Sequence, residues 1–143
     1  MAANTVTHRF KAVSAKELGA IQNHLGILTD DYKRVRPAKL RELSNWENTQ
    51  KAATTLNVSR PQVFKDEIQV KADTLKRVLD LVRATDLAFE LLGKNLSETK
   101  KWVMSPNEVL FGATPFEICL SGKAAALLDW LRGKKGLQPG LAF

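Results

Sequence analysis

Cysteine and histidine are scarce in this chain. One cysteine, Cys119, excludes an internal disulfide, and the two histidines, His8 and His24, have no other cysteine or histidine at ligand spacing. No metal site is therefore expected. No apolar run approaches the roughly 18–20 residues of a membrane span, and residues 1–13 lack the apolar centre of a secretory leader. With a lone thiol, this leads to the expectation of a cytoplasmic protein. Alternating strand patterns, Asn-Gly hairpin turns, internal repeats and low-complexity segments are also missing. So are a Gly-rich phosphate loop and a Ser/His/Asp arrangement. Cys119, between Ile118 and Leu120, reads as a buried, inert thiol. The expectation is a protein that is not an enzyme and takes no cofactor.

What is present is helical and basic. The length of 143 residues suits one domain or two very small ones, and the apolar fraction of 44% is enough for a core. The net charge of +7 favours an anionic partner. Between Tyr32 and Lys65, eight basic residues stand against two acidic ones, so this segment holds nearly the whole excess. A solvated face would have the same composition.

The first 13 residues read as an arm. Ser14 is a candidate cap for a helix with Leu18, Ile21, Leu25 and Leu28 at helical spacing, weakened near Gly26 and broken by Asp30-Asp31. Pro37 opens a second helix, to about Ser44, with Leu40 and Leu43 inward. From Asp73 a longer helix runs to about Leu92 on a stripe of Leu75, Val78, Leu79, Val82, Phe89 and Leu92, with Leu81 and Ala88 beside it. Gly93 stops it. Ser97 is the expected cap of a short helix bearing Trp102 and Val103. Thr114-Pro115-Phe116-Glu117 has the form of a capping box with proline in the first turn, Ser121-Gly122 ends that helix, and residues 123–132 form a last helix closed by Gly133.

Residues 48–68, NTQKAATTLNVSRPQVFKDEI, form a motif. Asn48 or Thr49 caps a helix with Ala52, Ala53 and Leu56 inward. Asn57 stands at the tight turn, where asparagine tolerates positive φ. Ser59 caps a second helix, with Pro61 near its start and Val63, Phe64 and Ile68 inward. Small Ala53 suits a close helix crossing. The segment resembles the helix-turn-helix of bacterial repressors, excisionase-like proteins and antitoxins, departing mainly at Asn57, where glycine is usual. An ordinary helical hairpin would use the same residues. If the motif binds DNA, Ser59, Arg60, Gln62 and Lys65 enter the major groove and Gln50 meets the backbone.

The segment 77–136 resembles the toxin-binding domain of the Xre/MbcA/ParS antitoxin family. Trp102, Pro106, Asn107, Leu110, Gly112, Thr114, Pro115, Leu120 and Gly122 fall where that pattern wants them. With the motif upstream, the resemblance covers roughly the last two-thirds of the chain. It departs at Phe111, where glycine is common, at Glu117-Ile118-Cys119, and in the Gly-Lys-Lys-Gly that ends the last helix.

The resemblance implies an all-α fold: an N-terminal helix-turn-helix region (residues 1–70) joined by the longer helix to a small toxin-binding domain with a C-terminal tail (residues 71–143). It implies a type II antitoxin that neutralises a RES-family, NAD-degrading toxin by blocking its active site. Repression of its own operon through operator DNA and a homodimer are implied too. The expected toxin contacts are Leu110, Phe111, Lys123, Arg132, Lys134, Lys135, Leu137, Leu141 and Phe143. Of these, the tail 134–143 joins two lysines to three apolar anchors and would plug the toxin's cleft. A stand-alone DNA-binding regulator and a helical interaction module without DNA binding remain as alternatives.

Overall fold

The computed structural model describes residues 19–44 and 48–135. The described fold is all-α, a bundle of short helices around one long one. The helices are α1 (Ile21–Leu25), α2 (Pro37–Ser44), α3 (Thr49–Leu56), α4 (Ala72–Leu91), α5 (Leu96–Val103), α6 (Pro115–Leu120) and α7 (Ala124–Lys135). Two 3-10 turns, Arg60–Phe64 and Glu108–Leu110, interrupt the connections.

Helix α4 is the centre. It packs against α7, α6, α5 and α1. Leu81 and Ala88 are buried beside the stripe as expected, and burial extends further to Ala84, Thr85 and Leu91, which is the state of a helix with neighbours on several sides. Burying each large apolar side chain here stabilises the fold by about 1.5–3 kcal/mol. The stripe is thus used within the chain. One apolar cluster runs from Ile21 to Leu131, with residues from both sides of position 70, and Ala52, Ala53 and Val63 form a small second cluster. Asp80 is buried in α4, where Lys76 at 3.2 Å and Arg83 at 3.9 Å offset its charge.

The N-terminal part is held by two backbone devices. Gly19 has φ +68°, and a Cβ there would overlap the Asp86 carboxylate, which accepts from the Ile21 N–H at 3.4 Å. Residues 14–18, including the expected cap Ser14, lie outside the described residues. Helix α1 stops at Gly26, φ +61°, and Leu28 leaves the helical register. It pairs instead with Val35, which pairs with Ile68, in two isolated antiparallel bridges that the sequence did not announce. At the tip between Leu28 and Val35, the Thr29 hydroxyl and then the Lys33 N–H bond to Asp31 and hold its carboxyl below the usual range.

Three expected boundaries move. Asn95, not Ser97, caps α5 and accepts from the Glu98 N–H at 3.0 Å. The chain leaves α4 through two left-handed residues, Gly93 and Lys94, and is extended at Asn95, where an asparagine oxygen caps as well as a serine one. The last helix passes through Gly133 and continues to Lys135. The Lys134 ammonium lies 5.4 Å from the Trp130 ring centroid, spanning the turn that contains this glycine. Residues 60–68 do not form an α-helix, as described next.

Candidate functional site

Two regions hold the residues singled out for binding. The first is the hairpin of α3 and the 3-10 turn. Asn48 caps α3 and accepts from the N–H groups of Gln50 at 3.0 Å and Lys51 at 3.2 Å. Asn57 is left-handed, φ +55°, and its N–H is shared between the carbonyls of Ala53 and Thr54. The sequence reading of both residues agrees with this geometry. The following segment does not: Arg60–Phe64 is a 3-10 turn of five residues, and Ser59 makes no side-chain cap hydrogen bond. At about 2 Å rise per residue such a turn is only about 10 Å long.

The cause is Ile68. Its N–H and carbonyl bond reciprocally to Val35 at 2.8 and 2.9 Å, and its side chain is buried. Reaching Val35 takes the chain out of helical geometry at Lys65, whose ψ is 153°, and through bends at residues 65–67. Phe64, expected inward, points out and is 64% exposed, while Val63, with half-buried Val58, fills the contact with Ala52 and Ala53.

Of the candidate nucleic-acid residues, Gln50, Ser59, Arg60 and Lys65 are exposed and Gln62 is half-buried. The Arg60 Nε donates to the Thr49 hydroxyl at 3.1 Å, tying the turn to the start of α3. Arg41, on α2, places its guanidinium carbon 5.6 Å from the Phe64 ring centroid. Sequence reasoning missed this pairing, because the two residues are distant in the chain and Phe64 was assigned to the core.

The second region is the loop between α5 and α6. Asn107 is its hub: its side-chain oxygen accepts from the Val109 N–H at 2.9 Å, and its carbonyl accepts from Leu110 at 2.9 Å and Gly112 at 3.0 Å. Its own N–H donates to the Ala113 carbonyl at 3.1 Å, closing the loop on itself. Phe111 sits at the tip in a left-handed conformation, φ +56°, that phenylalanine adopts only at a cost. Its ring is fully exposed at 101%, Val109 is 52% exposed, and Leu110 is half-buried. The loop then enters the expected capping box: Thr114 accepts from the Glu117 N–H at 3.0 Å, and Glu117 returns to the Thr114 N–H at 3.3 Å.

Most residues that carry the family resemblance shape the fold. Trp102, Thr114, Pro115 and Leu120 are buried, and Gly112 and Gly122 have φ of +88° and +84°. Of the other expected toxin contacts, Lys123 and Arg132 are exposed, Arg132 lying 3.6 Å from Asp129, and Lys134 is half-buried on Trp130. Lys135 ends α7, with its side chain outside the description. Leu137, Leu141 and Phe143 lie outside the described residues.

Cys119 is buried beneath α6, its Sγ 4.0 Å from the Asp80 carbonyl oxygen. Burial first, and the Asp80 charge second, push its thiol up to about 12. Among the described residues no group of three or more His, Cys, Asp or Glu side chains could hold a metal, and no helix is long and apolar enough to cross a membrane. Compared with protein-family models, with curated proteins and with solved structures, the chain matches none.

Proposed function

We propose that the chain is an inhibitory binding protein, the antitoxin of a type II pair, acting on a RES-type, NAD-degrading toxin and doing no chemistry of its own. One observation carries the protein-binding half: Phe111, fully exposed, on a loop braced through Asn107. A large ring held out in a costly backbone conformation gains nothing for the monomer. In an interface it is an anchor whose geometry is already set, so less ordering entropy opposes binding. Lys123 and Arg132, both exposed, would supply cations suited to a cleft that receives an anionic cofactor. The tail 134–143, with Lys135, Leu137, Leu141 and Phe143, would enter that cleft.

Operator binding is the second half of the proposal. The hairpin presents Gln50, Ser59, Arg60 and Lys65 to solvent within the most basic part of the chain, and a homodimer would match paired half-sites. The five-residue 3-10 turn favours a rival reading, a helical protein-interaction module without DNA binding. Salt decides between them: phosphate contacts release counterions, so operator affinity must fall steeply from 50 to 200 mM salt. A stand-alone DNA-binding regulator would keep that dependence and protect against no toxin.

The decisive experiment is co-expression with a RES-type toxin, taken from the neighbouring reading frame if one is encoded there. Wild-type chain is expected to restore growth, and Phe111→Gly to weaken protection. Full protection by Phe111→Gly and by a chain lacking residues 134–143 would remove both proposed contacts.

A further inference from the structure

The Arg41–Phe64 pair is not used by any contact described so far. Phe64 closes the 3-10 turn with most of its surface in solvent, and the guanidinium of Arg41 lies 5.6 Å from its ring centroid. A cation over an aromatic face holds the ring in place and adds charge beside it. Arg60 and Lys65 belong to the same turn and its end, and both are exposed. Glu67, the nearby acid that would oppose them, is taken up by Arg34 at 2.8 Å. Asp66, exposed, subtracts one charge.

We propose that this face is a stacking platform for an unpaired nucleotide, and that the chain binds single-stranded nucleic acid there. Three features converge on that ligand. An exposed ring among cations offers a π-face to a base and charges to the phosphates on either side, the combination by which single strands are held without sequence preference. A base inside a duplex presents only its edges, so the flat face of Phe64 has nothing to stack on unless the duplex is opened. And the turn, about 10 Å long, keeps Arg60, Phe64 and the adjoining Lys65 within the reach of a short single strand. Stacking and phosphate contacts are common to DNA and RNA. The inference depends neither on the antitoxin reading nor on operator binding.

The test is fluorescence anisotropy of the full chain with labelled dT12, rU12 and a 12-base-pair duplex, in 50 and 200 mM salt. Both single strands are expected to bind more tightly than the duplex, with affinity falling as salt rises. Phe64→Ala should weaken single-strand binding about 5- to 150-fold, the range of one lost base stack. Phe64→Trp should restore it, and Arg41→Ala should weaken it less. Phe64 is at the surface, so a circular-dichroism melt of each variant is expected to match wild type. Unequal affinity for dT12 and rU12 would tell which strand the site prefers. Single-strand affinity unchanged in Phe64→Ala, or no single-strand binding, overturns the proposal. Duplex binding that is indifferent to Phe64, without single-strand binding, would leave operator recognition standing and remove this inference. Phe64-dependent single-strand binding without duplex binding would do the reverse.

Discussion

Two stretches of this chain start with nearly the same signal and end differently. Thr114-Pro115-Phe116-Glu117 and Ser59-Arg60-Pro61-Gln62 each join a hydroxyl to a proline and, three residues on, to a side chain able to complete a capping box. The first opens α6 with both box hydrogen bonds formed. The second opens a 3-10 turn with no side-chain cap. The residues downstream make the difference. Phe116, Cys119 and Leu120 are three and four apart, so one face of α6 buries all of them. Val63 and Ile68 are five apart, about 140° around a helix, and Val35 takes Ile68 into a backbone bridge. A capping signal starts a helix, and the next buried residue decides how far it goes.

The sharpest way to break this comparison is Ile68→Ala. If Ile68 is what draws residues 65–70 out of a helix, its loss should cost about 2–5 kcal/mol in urea unfolding, as for other large buried aliphatics. The amides of Val35 and Ile68 should lose exchange protection together. A cost below about 1 kcal/mol would assign the departure from helix to something else.

On the other side of the comparison, Cys119 reports how tightly α6 is seated. Its thiol titrates near 12 when folded and at 9.0 ordinarily. Folding therefore favours the protonated form. Its contribution is complete below pH 9 and is lost as pH rises toward 12. Between pH 8 and pH 10.5 wild type should lose about 2 kcal/mol more than Cys119→Ala does. Equal losses would mean that solvent reaches the thiol.

The capping hydroxyls separate the two stretches directly. Thr114→Ala should cost about 1 kcal/mol. Ser59→Ala, with no side-chain cap bond to lose, should leave the melting temperature nearly unchanged. Comparable costs would mean that Ser59 caps after all. The smallest expected change is a gain: Phe111→Gly relieves the left-handed strain, offset by the greater freedom of glycine in the unfolded chain, for a net stabilisation of about 0.5 kcal/mol. Since the same variant is expected to lose toxin protection, stability and binding should move in opposite directions.

Local chemistry made much of the fold legible. Asn48, Asn57, Thr114 and Gly122 act where spacing and residue type place them, because caps and left-handed turns are satisfied within four or five residues of chain. The stripe on α4 was legible for the same reason. Phe111 was marked as a departure from a glycine position, which pointed to the tip of the exposed loop. The bracing of that loop by Asn107 was not legible, since it depends on four hydrogen bonds of a folded backbone.

Residue order alone therefore settled most of the helical segments (residues 60–68 excepted), where most of them start, and which part of the chain is basic. Those properties depend on periodicity, on caps and on composition, all of which act over one or two turns. Long-range pairing settled the rest: that α4 is enclosed on several sides, that Ile68 is bridged to Val35, that Phe64 faces solvent beneath Arg41, and that the Asp86 carboxylate occupies the space beside Gly19. Apart from the contact of α4 with α5, each of these joins residues more than 20 positions apart, and a local pattern holds no record of such partners.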